Sequence, residues 1–188
     1  MATDSHASRP GRRYDPERRE RIARAAIEVV ARDGIEGLTH RTVAQQADVP
    51  LGSTTYHFAD KDDLLKAAAE LAEDQNRETL DALLVGLLPE EDLPAALGAM
   101  VEELTVRQRA QLLLDYELFL AARSRPALRE TATRWVRRAA DQLSAYTDAT
   151  TAASLTWALE GALVQAVVLG REIRADDATA VFRRILSG

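Results

Sequence analysis

Apolar residues recur along most of this chain at intervals of three and four, the spacing of helices with one buried face. Ile22, Ala26, Val29 and Val30 mark the first such stretch. Asp15-Pro16 supplies an N-cap and a proline at the first helical position, and Asp33-Gly34 ends the helix with Gly34 as its C′ residue. Thr39 caps a second helix running through Ala47, which buries Val43, Ala44 and Ala47. Asp48-Val49-Pro50 forms a turn in which Pro50 pushes Val49 into an extended conformation. A third helix covers roughly Leu51 to His57. Asp60 caps a fourth, which carries Leu64, Leu65, Ala68, Leu71 and Ala72 and runs to about Leu84. Two prolines break the pattern between Leu87 and Pro94. Five more helices follow near 93–107, 109–124, 126–147, 150–170 and 176–187. No stretch reads as a strand, so the fold class is all-α, with about nine helices.

Composition narrows the picture. The 188 residues are 46% hydrophobic, enough for one large domain or two small ones with a sizeable core. With no cysteine there is neither a disulfide framework nor a thiolate metal site, which suits a reducing cytoplasm. The first twenty residues lack an apolar run, so no signal peptide is expected. The longest apolar run, Ala162 to Leu169, is interrupted by Gln165 and is too short to span a bilayer, so no membrane partner is expected.

The net charge of −6 suggests nothing basic, but its distribution is uneven. Met1 to Lys66 is neutral, and the remainder carries all of the excess negative charge. Between Arg9 and Arg24 seven arginines face three acids. Basic density at one end points to two halves with different partners; the plainer alternative is a solvated Arg-rich helix. Residues 1–13 read as a disordered basic arm.

The third helix is poorly suited to being one. Ser53, Thr54 and Thr55 are short hydroxyl residues, two of them β-branched, and they follow Pro50 and Gly52. A helix-turn-helix unit explains this, because its second helix is held by packing and presents its N-terminal side chains to base edges in the major groove. Gly52 permits close approach to phosphate. The three hydroxyls are expected to face outward, as donors to phosphates or bases, and a threonine methyl can meet a thymine methyl.

These residues give the chain its resemblance to the TetR family of transcriptional regulators. Thr39, Val43-Ala44, Ala47, Val49, Gly52-Ser53, Tyr56-His57-Phe58, Lys61 and Leu64-Leu65 stand at that family's spacing, over about residues 14 to 66. The departures are Asp48 for the usual turn glycine, Pro50 for a capping Ser or Thr, Leu51 for a polar residue, and Thr54 and Thr55 for an aliphatic residue and a tyrosine. The last two alter any inherited operator preference and leave the docking mode intact. The resemblance implies a DNA-binding head over 14–60 and an effector-binding and dimerisation domain over 61–188. It implies phosphate contacts from Thr39, Tyr56, His57 and Lys61, and base-edge positions at Arg41, Leu51, Ser53 and Thr55, with Gly52 and Thr54 in the same surface. Arg41 suits guanine, its alternative being a solvated helix residue. Phe58 reads as core and His40 as a surface histidine without metal-site partners.

For the second half the resemblance implies a homodimer formed by the last two helices. Leu155, Leu159, Ala162 and Ala166 line one side of the first of these, and Trp157, Gly161, Val164 and Val168 another. An apolar surface that wide is buried on more than one face. Val181, Phe182 and Ile185 lie on the stripe of the last helix. Leu155, Leu159, Ala162, Ala166, Val181, Phe182 and Ile185 are therefore expected at the dimer interface, the alternative being that both stripes face their own core. An effector pocket is expected from Met100, Leu104, Tyr116, Phe119, Leu120, Trp135, Trp157 and Glu160, mostly apolar with a few polar groups. Glu160 reads either as a carboxylate facing a ligand or, the commoner outcome, as one partner of a salt bridge.

The resulting expectation is a cytoplasmic regulator, a repressor that binds a palindromic operator in double-stranded DNA as a homodimer and is released by a small-molecule effector. No cofactor is expected. An enzyme is the rival least supported, since Walker A, HExxH, GxSxG and paired ExxH motifs are all missing from the sequence. Two further rivals are a helical adaptor whose head binds protein and a DNA-binding regulator with a closed core and no effector.

Overall fold

The computed structural model describes residues 16–87 and 92–187, which form nine α-helices and no strand. The expected basic arm over 1–13 and the Asp15 cap lie outside these residues. So does most of the break before Pro94. The helices are α1 (Pro16–Gly37), α2 (His40–Gln46), α3 (Leu51–His57), α4 (Lys61–Leu87), α5 (Leu93–Glu102), α6 (Arg109–Ala121), α7 (Arg129–Leu143), α8 (Ala149–Leu169) and α9 (Ala175–Leu186). A π-helical turn (Glu103–Arg107) extends α5, and a 3-10 turn (Pro126–Leu128) precedes α7.

The ends follow the local chemistry. Gly34 breaks α1 at φ 70°, the left-handed conformation that glycine adopts without steric cost. Asp60 and Asp63 cap α4 reciprocally: the Asp63 N–H donates to Asp60 Oδ1 at 2.9 Å, and the Ala59 N–H donates to Asp63 Oδ2 at 3.0 Å. Asp148 caps α8 by accepting from the Thr150 and Thr151 N–H groups.

Two apolar cores result. The first joins α1, α2 and the start of α4 to Leu114 and Leu118 of α6 and to Leu128. The second gathers Leu97, Met100, Val101, Leu104, Leu112, Tyr116, Leu143, Leu155, Leu159, Leu163 and Phe182 from α5 to α9. Helix α6 therefore serves both cores.

The most extensive helix pairing joins α5 to α9. Gly98 allows it: a β-carbon there would lie 2.0 Å from Thr179 Oγ1 and 2.5 Å from the Ala175 carbonyl oxygen. The adjoining π turn is secured by Thr105, whose hydroxyl donates to Val101 O at 2.8 Å and accepts from the Ile173 N–H at 3.2 Å.

Helix α8 is long and apolar enough to cross a bilayer by length and composition, and only 33% of its most apolar stretch is buried within the chain. The run from Ala162 to Leu169 is short and broken by Gln165, but small and apolar residues extend it through most of the helix.

Replacing Gly98 with Ala is expected to destabilise the fold by about 2 kcal/mol, the scale of overpacking against backbone that cannot give way. Urea unfolding of the two proteins at one chain concentration measures this.

Candidate functional site

The turn and short helices at the N-terminal end form a rigid unit. The Thr39 hydroxyl accepts from the Thr42 N–H at 3.1 Å, and the Thr42 hydroxyl accepts from the Thr39 N–H at 2.9 Å, so the two threonines box the start of α2. Asp48 takes φ 50° in the turn, the left-handed geometry that aspartate tolerates better than most residues. Pro50 opens α3 with no side-chain cap. Phe58 is buried just past α3, and the Arg19 guanidinium of α1 lies 5.1 Å from its ring centroid, a cation–π contact tying the first helix to the third.

The structure divides α3 into two faces. Leu51 (51% exposed), Gly52, Thr55 and Tyr56 (72%) face solvent, as does Arg41 of α2. His57 is half-buried, edge-on to Tyr56 at 5.0 Å between ring centroids. Ser53 and Thr54 correct the expectation of three outward hydroxyls, because both are buried. The Thr54 hydroxyl donates to Leu51 O at 2.8 Å. Inward-facing Ser53 and Thr54 let the small helix pack closely on α2, and neither is available to a partner. Lys61 reaches back to the last turn of α1, with Nζ 3.5 Å from Glu36 O and 3.9 Å from its carboxylate. His40, expected at the surface, is half-buried.

A second site lies in the helical body, a cavity of about 580 Å³ counting its open mouth. Met100, Leu104, Leu112, Trp135, Leu159 and Leu163 give it apolar walls, and Glu73, Asn76, Arg138, Gln142 and Glu160 its polar ones. Tyr116, Phe119 and Trp135 stand behind and beside it as an aromatic trio with ring centroids 5.9–6.1 Å apart. Four expected residues therefore line the cavity (Met100, Leu104, Trp135, Glu160), and Tyr116 and Phe119 support it. Leu120 and Trp157 do not line it: they are 50% and 74% exposed. No sequence signal marks Glu73, Asn76, Arg138 and Gln142 for this wall, since on α4 and α7 they read as ordinary solvated positions.

The two carboxylates of this cavity are held differently. Glu73 is buried and ion-paired with Arg138 at 2.9 Å and Arg134 at 3.4 Å. Glu160 accepts from the Tyr116 hydroxyl at 2.6 Å. Among the described residues it pairs with no arginine or lysine, so the salt bridge expected for it is not made. Burial, then the charge of Glu160, raises the Tyr116 pKa, so the phenol stays a donor. An adjoining space of about 430 Å³, sharing Asn76, Leu104 and Leu112 with the cavity, is lined by Gln75, Gln108, Gln111 and Asp115. Asp115 is buried and accepts from Asn76 Nδ2 at 2.7 Å and Gln111 Nε2 at 2.8 Å. Burial pushes its carboxyl up to about 6, against those two hydrogen bonds, which pull it down.

The outer face of α8 and α9 is the third feature. Trp157, Val168, Leu169 and Val181 are each more than half exposed, beside partly covered Ala158, Gly161 and Ala162. Contrary to expectation, Leu155, Leu159, Ala166 and Phe182 are buried within their own chain and cannot reach a mate. Ala162, Val181 and Ile185 remain at least partly accessible.

Comparison with known proteins places both halves. Residues 22–68 match the model described as bacterial regulatory proteins, tetR family, and residues 88–188 match the tetracyclin repressor-like C-terminal domain. The multidrug binding protein EbrR, solved with imidazole, is 44% identical over 91% of this chain and 96% of its own, with a TM-score of 0.82. It has also been solved with ethidium, proflavin and malachite green. The transcriptional regulator PksA of Bacillus subtilis is 33% identical over 94 residues, 48% of this chain and 46% of its own. The nicotine-responsive transcriptional repressor HdnoR of Paenarthrobacter nicotinovorans is 42% identical over 53 residues, 28% of this chain and 27% of its own. The match thus spans less than half the length of either of these two.

Asp115 sets a pH dependence. Its folded pKa of about 6 lies above the ordinary carboxylate value, so the folded state holds the proton more tightly. Its favourable contribution is complete below pH 4 and is lost as the pH rises towards 6. Relative to Asp115→Asn, the wild-type unfolding free energy should fall by roughly 2–3 kcal/mol between pH 4 and 7. Denaturant titrations of both proteins across that range are the check; a flat difference would mean that Asp115 ionises normally.

Proposed function

This chain belongs to the TetR family of bacterial regulatory proteins, and on that footing we propose that it is a ligand-responsive repressor, binding a palindromic operator as a homodimer. The head spans 14–60 and the effector-binding and dimerisation domain 61–188. What supports the DNA-binding half is the packing of α3. A seven-residue helix is marginal alone, yet α2, Phe58 and the two buried hydroxyl residues hold it with Leu51, Thr55 and Tyr56 outward. Arg41 stands beside it as the side chain suited to bidentate contact with guanine. Thr39, Tyr56, His57 and Lys61 contact phosphates, with Lys61 exchanging its weak contacts to Glu36 for DNA.

What supports the effector is Glu160. A carboxylate on the wall of an aromatic cavity, held by a neutral phenol, suits an aromatic cation, which gains both ring contacts and a charge. Ethidium, proflavin and malachite green, found with EbrR, are such cations. The homodimer is supported by the exposed apolar face of α8 and α9, with Gly161 and Ala162 allowing close approach and Trp157, Val168 and Val181 covered by the mate.

The signal path is short. Tyr116 and Phe119 border the cavity from α6, and on the same helix the Glu117 carboxylate accepts the Ile35 N–H at 2.9 Å, in the last turn of α1 just before α2. A ligand that binds one placement of α6 better than another biases the spacing of the two heads, and does so only to the extent of that preference.

Selection from random duplex DNA should enrich a palindrome bound with a steep salt dependence, whereas an apolar protein contact by the head would be nearly insensitive to salt. Arg41→Ala should cost about 1–3 kcal/mol on that palindrome and relax one base position. Equal weakening on random DNA would reduce Arg41 to a phosphate contact. Ethidium fluorescence should report binding that releases the palindrome and weakens about tenfold in Glu160→Gln, the loss of one charge-assisted contact.

A further inference from the structure

The outward face of α3 is chemically unusual for a base reader. The side chains that discriminate guanine or adenine by paired hydrogen bonds are arginine, lysine, asparagine and glutamine, and α3 carries none of them. The short hydroxyls that could substitute for them face inward or are drawn to the backbone, and Tyr56 is assigned to phosphate above. Ser53 and Thr54 are buried, and the Thr54 hydroxyl donates to Leu51 O. The Thr55 hydroxyl lies 3.4 Å from Gly52 O, drawn back to the backbone of its own helix. What α3 offers to a partner near its N-terminal end is the isobutyl group of Leu51, the bare backbone at Gly52 and the methyl of Thr55. Leu51 and Thr55 are four residues apart, so they lie one above the other on the same helical face. Leu51 opens the helix, in the turn that meets base edges in this docking mode. Half of its surface stays in water, an apolar exposure that contact would relieve.

Thymine is the base whose major-groove edge presents a methyl group. We infer that α3 reads its half-site by apolar contact, with Leu51 and Thr55 seated on thymine methyl groups, and that Arg41 of α2 is left as the reader of guanine. This rests on the DNA-binding reading above and adds to it the class of base recognised and the groups that recognise it.

Deoxyuridine tests this directly, because it keeps every hydrogen-bonding atom of thymine and lacks only the methyl. The full chain is first used to select a palindrome from random duplex DNA. Each thymine of the half-site is then replaced by deoxyuridine, one position at a time and symmetrically in both halves. One methyl removed from contact is worth about fourfold in affinity, so a symmetric pair should weaken wild-type binding about fifteenfold at one or two positions and little elsewhere. Leu51→Ala should bind the parent palindrome more weakly and lose the distinction between thymine and deoxyuridine at one of those positions. Thr55→Ser, which keeps the hydroxyl and deletes the methyl, should lose it at the other. Both side chains are exposed, so thermal melting of the variants should match that of the wild type. A palindrome bound tightly but indifferent to deoxyuridine would overturn the inference while leaving DNA binding intact. So would sensitivity that survives in both variants. If no duplex is enriched at low salt, the DNA-binding reading itself fails and this one falls with it.

Discussion

Everything in this molecule hangs on α6 being packed into two cores at once. Leu114 and Leu118 point into the core that holds α1, α2 and the start of α4, while Leu112 and Tyr116 point into the core of the helical body. Side chains in close-packed interiors leave few voids, so α6 cannot shift against one core without disturbing the other. Its Glu117 carboxylate accepts the Ile35 N–H in the last turn of α1, a polar fastening at the same junction. Arg125, just beyond α6, reinforces it by pairing with Asp62 at the start of α4. The two halves are thus joined by shared packing rather than by a linker, which is what a signal crossing between them requires.

Charge inside the body is managed residue by residue. Glu73 is ion-paired with two arginines, Asp115 has its carboxyl raised by burial that amide donors offset only in part, and Glu160 accepts from a phenol. Each solution is a different answer to the cost of removing a carboxylate from water. The third makes no ion pair among the described residues, although Arg77 and Arg138 line the same cavity.

Much of this was legible in the sequence. Periodicity located the helices within a few residues, and capping chemistry at Thr39 and Asp60, with Gly34 and Asp48 at positive φ, set where the first four begin and end. What failed was direction. Three consecutive hydroxyl residues in a seven-residue helix contain no period, so nothing local says that Ser53 and Thr54 turn inward and Thr55 outward. Helix α8 is apolar on every side, and the face chosen for a mate, Leu155 with Leu159 and Ala166, is the one its own chain buries. Glu73 and Arg138 look like ordinary solvated charges until α4 and α7 are brought together. The need for Gly98 exists only once α9 lies across α5.

The inward face of α3 does all of the holding, through Ser53, Thr54 and the cap at Phe58, while the outward face makes no contribution to the core. On the proposed reading of α3, stability and recognition are written in different residues of the same short helix. Mutations at Leu51, Gly52 and Thr55 can accumulate without threatening the fold, so the DNA preference of such a head is free to drift, and paralogues arising by gene duplication can diverge to separate targets while keeping one scaffold.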